Sequence, residues 1–235
     1  MTRSSAICAE KVTRTFNGEG GVRDIDLEVE AGEVVALLGA NGAGKSTLIK
    51  LFLGFLKPEQ GRASVDGRDP TSARDRVGYI PENVSLYLKL SGPENLRFFA
   101  RLSKRPLGLE EAKDRLLELG IPEAAVGKPA STYSKGMRQK VGVAIALARD
   151  ARVLLLDEPM SGLDPSAARE LCDRIKTLKD ENRAVLMATH DLFRAKEVAD
   201  RVGVMRDGRL VELLNPATLD AHALESLYLQ HMSAA

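Results

Sequence analysis

Two kinds of apolar run alternate along the opening third of the chain. In 25–29, Ile25, Leu27 and Val29 fall at every second position with Asp26 and Glu28 between them, which predicts a strand with one face exposed. In 34–38 the apolar residues are consecutive, which predicts a strand buried on both faces, as in a parallel sheet. A glycine-rich loop and a helix from about Lys45 follow, and 61–69 reads as a strand with a turn around Asp66-Gly67. From about 83 to 148 the spacing is helical. Ser91-Gly92-Pro93-Glu94 has the form of a capping box with an early proline, and the amphipathic stretch 109–119 stops at Gly120, a natural C-cap. After Arg152, strand and helix alternate again: strand 153–156, helix near 166–180, strand 184–188, helix near 192–199 and strand near 202–205. The tail, about 215–235, is expected to carry a peripheral helix around 224–228. The pattern predicts an α/β core interrupted by a helical insertion.

With 235 residues the chain fits one large domain or two small ones, and 44% hydrophobic residues suffice for a sizeable core. A net charge of +1 gives no overall field toward nucleic acid or an anionic membrane, and with no Trp and few aromatics no base-stacking platform is expected. Cys8 and Cys172 lie far apart and form no CxxC, so both are expected to pack as small apolar residues in a reducing, cytosolic setting. The first eight residues lack the apolar region of a signal peptide. The longest apolar run, 141–148, is interrupted by Gly142 and is too short to cross a bilayer. Work at a membrane would need spanning helices from another chain.

Two carboxylates, Asp157 and Glu158, directly follow the apolar run 153–156. Ligands bind at the C-terminal ends of strands in open α/β sheets. A carboxylate pair there is costly unless it holds a cation or does acid–base work; the plain alternative is a solvated acidic turn. Gly39-Ala40-Asn41-Gly42-Ala43-Gly44-Lys45-Ser46 matches GxxxxGK[ST] between a buried strand and a helix. Glycines let backbone N–H groups curl around phosphates, and the helix adds its positive end. As a phosphate-binding loop (the alternative being an ordinary glycine-rich turn), Gly39, Asn41, Gly42, Ala43, Gly44, Lys45, Ser46 and Thr47 hold the nucleotide. Lys45 then reaches the β/γ-phosphates and Ser46 ligates Mg²⁺. In such a protein Asp157 also helps hold Mg²⁺, and Glu158 orients or deprotonates an attacking water, which is ATP hydrolysis. Ser134 is a good N-cap, and with Gly136 it makes either a second anion site or a common helix start. His190, after an apolar strand, either reaches the γ-phosphate region or is structural.

In this order, the glycine-rich loop, Tyr133-Ser134-Lys135-Gly136-Met137-Arg138-Gln139-Lys140, Asp157-Glu158, Ser161-Gly162-Leu163-Asp164 and His190 resemble the ATP-binding cassette (ABC) ATPase family over nearly the whole chain. The resemblance implies one ABC ATP-binding domain over 1–235. Its fold would be a P-loop NTPase with a RecA-like core, an N-terminal antiparallel β-subdomain and an α-helical subdomain inserted at about 83–148. It implies ATP and Mg²⁺ as cofactors and a head-to-tail dimer with a second copy, each ATP lying between one chain's loop and the other's Ser134 and Gly136. It also implies that Asp164 belongs to a loop crossing the dimer interface, that His190 contacts the γ-phosphate, and that Phe16 stacks on adenine unless it is a core residue of the first sheet. Val22 lies where the family often has a further adenine-side contact. Two features depart from the family pattern. Ser-Lys-Gly-Met-Arg stands in place of Ser-Gly-Gly-Gln-Arg. In Val77-Gly78-Tyr79-Ile80-Pro81-Glu82, Glu82 stands for the usual Gln, a third carboxylate able to approach Mg²⁺ and water.

With one cassette, the chain resembles the separate nucleotide-binding subunit of a transporter. It would drive an integral-membrane permease, gripped through 83–102, from the cytoplasmic face of the membrane. Pro81-Glu82-Asn83-Val84, Leu90-Ser91-Gly92, Phe99-Ala100-Arg101-Leu102 and the segment 133–139 resemble ABC-2-type exporter ATPases, among them the ATPase subunit of the copper-processing transporter of nitrous-oxide reductase maturation. The alternative is a non-transport ABC ATPase acting on nucleic acid or ribosomes. The sequence carries neither the long coiled coils or zinc insertions of DNA-repair members nor the two cassettes of translation members, and no nucleic-acid partner is expected.

Overall fold

The computed structural model describes residues 5–17, 19–218 and 221–233. Along the chain, β1 (Ser5–Phe16), β2 (Glu19–Glu30), β3 (Val34–Leu38), α1 (Lys45–Phe52), β4 (Gln60–Val65) and β5 (Val77–Ile80) precede four helices, α2 (Gly92–Leu102), α3 (Leu109–Glu118), α4 (Glu123–Val126) and α5 (Lys135–Ala148). Then come β6 (Val153–Asp157), α6 (Pro165–Asp180), β7 (Ala184–Thr189), α7 (Leu192–Val198), β8 (Arg201–Arg206), β9 (Arg209–Leu214) and α8 (Ala221–Ser233).

The strands form two sheets. One is antiparallel, in the order β2-β1-β4. The other has the order β5-β6-β7-β3-β8-β9, parallel from β5 through β8 with β9 antiparallel at its edge. The continuous apolar runs are explained by what lies on either side. In β3, Val35 and Leu37 face a core shared with the antiparallel sheet and α1, while Val34, Ala36 and Leu38 face a second core shared with α5, α6 and α7. In β6 the faces divide in the same way, Val153 and Leu155 against Leu154 and Leu156. Each such side chain contributes roughly 1.5–3 kcal/mol when fully buried, so neither face admits a polar residue.

The helices between β5 and β6 have a third core of their own, built on Leu96, Ala100, Leu116, Ile121, Tyr133 and Val141. The capping box at Ser91 is present: Ser91 Oγ accepts from the Glu94 N–H, and Glu94 accepts from the Ser91 N–H at 2.7 Å. Buried Asn95 ties the preceding loop to α2, accepting from the Tyr87 N–H at 2.8 Å and donating to the Ser91 carbonyl at 2.9 Å.

Several expectations change in the structure. The strand expected at 25–29 is the far half of a longer one, β2, whose alternation is interrupted near its start by Gly20 and Gly21. The edge strand β9 was not legible, because Leu210, Val211, Glu212, Leu213 and Leu214 keep no regular period and only pairing with β8 orders them. The expected peripheral helix is α8, longer than 224–228, although parts of the 215–235 tail and residues 1–4 of the N-terminus lie outside the described residues. Cys172 is buried beside Met160 as expected, but Cys8 is only half-buried, between Glu10 and Glu28, so it does not pack as an apolar residue. No helix among the described residues is long and apolar enough to cross a membrane.

The Glu94 carboxyl is held below the ordinary carboxylate value, first by the Ser91 N–H and then by its hydroxyl. A depressed folded-state value means this cap stabilises above the unfolded pKa and is lost as pH falls through the folded one. Ser91→Ala should cost about 1 kcal/mol at neutral pH, a fall of roughly 2–4 °C in melting temperature. Thermal scans at pH 7 should reveal it, and an unchanged melting temperature would remove the cap from any part in holding α2.

Candidate nucleotide site

Because β3, β5, β6 and β7 run parallel, the residues that follow them leave the sheet on the same edge. These are the loop 39–44, Glu82, Glu158 and His190. Gly44 is the N-cap of α1, at φ 103°. A Cβ there would meet the Gly21 carbonyl oxygen at 2.5 Å, so only glycine fits. Gly39 has the same constraint from another segment, since a Cβ would lie 2.5 Å from the Met205 carbonyl oxygen. No side chain caps α1, and its first turn has no acidic residue, so its N-terminal N–H groups and the positive end of its dipole are left for an external anion.

They open on a cavity of about 360 Å³. Residues 40–47 line it, with Phe16, Gly20 and Gly21 from the antiparallel sheet and Glu82, Asp157 and Glu158 opposite. Phe16 is 42% exposed and is therefore not a core residue. Val22, by contrast, is fully buried in the first core. Gly20 and Gly21 follow Phe16 by four and five residues, and a glycine pair soon after an aromatic is the signal the sequence offers for them.

Lys45 is 6% exposed. Its Nζ donates to the Gly39 carbonyl at 2.6 Å and the Ala40 carbonyl at 3.2 Å, and lies 3.8 Å from Glu158 Oε1. Burial lowers its pKa, opposed by Glu158 and Asp157. Ser46 Oγ donates to Asp157 Oδ1 at 3.1 Å. Burial raises the Asp157 carboxyl above its ordinary value; the neighbouring Glu158 adds to the rise, while the Ser46 hydrogen bond and Lys45 oppose it. Glu158 sits at φ 47°, in the left-handed region that non-glycine residues adopt rarely and at a cost. Its N–H is fastened to the Ala188 carbonyl at 2.9 Å, which turns the side chain away from the strand direction. Glu158 Oε2 lies 2.9 Å from His190 Nδ1, and Oε1 is buried without a hydrogen-bond partner.

The remaining residues named from sequence lie apart from this cavity. Ser134 is the N-cap of α5, its Oγ accepting from the Met137 N–H at 3.2 Å. Gly136 packs toward Ala167 of α6. Asp164 caps α6, accepting from the N–H groups of Ser166 and Ala167 at 3.0 Å each. The structure thus gathers the loop, Phe16, Glu82, Asp157 and Glu158, with His190 hydrogen-bonded behind them, and leaves Ser134, Gly136 and Asp164 outside.

The sequence profile described as "ABC transporter" matches residues 22–161. The chain belongs to the ABC transporter family. A fluoroquinolones export ATP-binding protein of Mycobacterium tuberculosis is 40% identical over 208 residues, covering 86% of this chain and 67% of that protein. A sulfate/thiosulfate import ATP-binding protein, CysA of Synechococcus elongatus, is 37% identical over 222 residues, covering 92% of this chain and 64% of that protein. The chain thus spans about two thirds of the length of these two relatives. Among solved structures, cbiO1 from Clostridium perfringens, part of the ABC transporter complex cbiONQ, superimposes with a TM-score of 0.80 at 27% identity, covering 97% of this chain and 94% of that one.

This ABC cassette is an ATPase, and its nucleotide is ATP with Mg²⁺. The residues fit both. The open helix start and Lys45 suit a polyphosphate. Ser46 and Asp157 bring hydroxyl and carboxylate oxygens within 3.1 Å of each other, the hard donors that Mg²⁺ takes together with phosphates and water. Glu158 Oε1, paired with Lys45 Nζ at 3.8 Å, makes no hydrogen bond.

Because burial and Glu158 both work against a charged Asp157, Asp157→Asn should leave the nucleotide-free protein at least as stable as the parent. It should also abolish the extra stabilisation that Mg²⁺ adds to ATP, about 5–10 °C at a hundredfold excess over Kd. Thermal scans with ATP in the presence of Mg²⁺ or EDTA measure this; a full Mg²⁺ shift in the variant would remove Asp157 from the metal site.

Proposed function

We propose that this chain is the ATP-hydrolysing subunit of an exporter, working as a head-to-tail pair with a second copy of itself and driving a separate permease from the cytoplasmic face of the membrane. The observation that carries this reading is the division of the anion-binding groups. One cavity holds the loop, Lys45, Ser46, Asp157 and Glu158, while Ser134 and Gly136 stand at another helix start, outside it. A second copy turned head to tail would bring its own Ser134 and Gly136 to the phosphates and its 161–164 loop to the water. One ABC domain over 1–235, with a helical subdomain at about 83–148, is part of the proposal, and the separate core of α2 to α5 supports it.

In this reading the ring of Phe16 stacks on adenine, and the N–H groups of the loop, with Thr47 at the start of α1, bind the phosphates. Lys45 exchanges the Gly39 and Ala40 carbonyls for β- and γ-phosphate oxygens. Ser46 and Asp157, with Glu82 at the rim, hold Mg²⁺, which neutralises charge on the phosphates. Glu158 accepts a proton from water as its oxygen attacks the γ-phosphorus and the bond to the β-γ bridging oxygen breaks, giving ADP and phosphate. His190 keeps that carboxylate turned toward the γ-phosphate. ATP closes the pair in proportion to its preference for the closed over the open form.

An exposed aromatic cluster supports a permease contact through 83–102. Tyr87, Leu88, Phe98 and Leu102 are 51%, 54%, 38% and 67% exposed, with the Tyr87 and Phe98 rings 4.7 Å apart. Membership of an ABC transporter complex is stated for cbiO1, and we extend it to this chain. The export direction rests on the ABC-2-like phrases and on the fluoroquinolone-export relative.

Glu158→Gln should bind Mg·ATP as the parent does, trap a nucleotide-bound dimer and lower kcat by about 100-fold or more. Hydrolysis at the parent rate would remove Glu158 from the role of base. Replacing Tyr87, Leu88 and Leu102 with serine should leave the ATPase rate of the isolated chain unchanged and prevent co-purification of a membrane subunit from the native host. Recovery of that subunit at the parent level would move the contact elsewhere.

A further inference from the structure

The cavity has an electrostatic anomaly for a site that binds a polyphosphate. Among the described residues that line it, Lys45 is the one cation, against the carboxylates of Glu82, Asp157 and Glu158. Asp157 and Glu158 lie beside Lys45 and Ser46, and Glu82 adds a third negative charge at the mouth.

Its surroundings compensate for that charge. Glu82 Oε1 accepts from Ser161 Oγ at 3.1 Å and lies 3.8 Å from Lys135 Nζ. Lys135 is the first residue of α5, immediately after the N-cap Ser134. A cation is disfavoured there by the helix dipole, so helix stability does not account for it. The stem of Lys135 lies over Gly162, where an added Cβ would come within 3.3 Å of Nζ. One turn further on, buried Gln139 donates to the Glu82 carbonyl at 2.8 Å and the Pro81 carbonyl at 3.3 Å. Helix α5 therefore grips Glu82 twice, by backbone and by charge. Lys135 and Glu82 are also two of the positions at which the sequence departs from the ABC pattern, and the fold brings them together. As a half-exposed ion pair it adds little to stability, which leaves the site as the place where it acts.

We propose that Glu82 and Lys135 are a matched pair, in which Lys135 is a positioning residue that cancels the charge of Glu82 and sets its carboxylate toward Mg·ATP. The pair ties the cavity mouth to the start of α5 and, through Ser161, to the loop before α6. The assignment rests on the reading of the cavity as the Mg·ATP site. Lys135→Met keeps the aliphatic stem and leaves Glu82 uncompensated.

The test is a double-mutant cycle on the full chain with Lys135→Met, Glu82→Gln and the double variant, reading ATPase KM for Mg·ATP, kcat and half-saturation by Mg²⁺. Lys135→Met should raise KM about tenfold, a coupling of ordinary size for charges in contact, with a smaller change in kcat. In the Glu82→Gln background the same Lys135→Met change should alter KM by no more than about twofold, and Lys135→Arg should retain parent values. Multiplying losses in the double variant, or full loss in Lys135→Arg, would overturn the pairing. If Lys135→Met fails to fold, Lys135→Arg and Glu82→Gln still decide it: the first must keep the Mg²⁺ dependence and the second must shift it. A parent that binds no Mg·ATP would instead overturn the underlying reading of the cavity.

Discussion

The parallel pairing of β5, β6, β7 and β3 is the constraint on which the rest of the molecule depends. A parallel sheet must be covered on both faces, and its strands here divide their side chains between two cores, as β3 and β6 do residue by residue. A one-residue slip would exchange those faces, so the register is strongly specified. The same register carries Leu38, Asp157 and Thr189 to one edge of the sheet, and the phosphate loop, the carboxylate pair and His190 follow from it. Packing and chemistry therefore share one cause.

At that edge the protein's own groups partner most of the charges, although Glu158 Oε1 makes no hydrogen bond. Lys45 rests on loop carbonyls, Ser46 on Asp157, and Glu158 on His190. Each of these contacts uses a group that a nucleotide or its cation can replace, so binding exchanges interactions already made for others of the same kind. The strained backbone of Glu158 is fastened by a single hydrogen bond to β7. Its cost is borne by the sheet, and it places a carboxylate where regular strand geometry would not. Burial and the neighbouring carboxylate then push Asp157 up, so a cation has a favourable effect there before any substrate is considered.

The helical unit adds a second kind of constraint. Its core is separate from the two that sandwich the sheet, and its link to the nucleotide edge is local: Gln139 to the 81–82 backbone, Lys135 to the Glu82 carboxylate. The unit is also anchored to the sheet, because α5 sends Val143 and Ala146 into the second core while Val141 and Ala144 face the helical one, so the exposed aromatic cluster is held on a body packed against the strands.

Much of this was legible in the sequence because it depends on local order. Consecutive apolar residues gave β3, β6 and β7, the capping box gave the start of α2, and the glycine-rich loop with Lys45 and Ser46 identified a phosphate site, since backbone curling and helix start are contiguous in the chain. What was not legible depends on approach between distant segments. β9 has no period of its own and exists through pairing with β8, Cys8 lies between Glu10 of its own strand and Glu28 of the neighbouring one, and the Gly20–Gly21 wall of the cavity is set by packing against the start of α1. Glu82 and Lys135 were each visible as departures from the family pattern, but a sequence carries no distance between residues 82 and 135. The chain's order of motifs determined which chemistry is available; only tertiary packing decided which charges share a site, because Coulomb interactions depend on separation in space and not on separation along the chain.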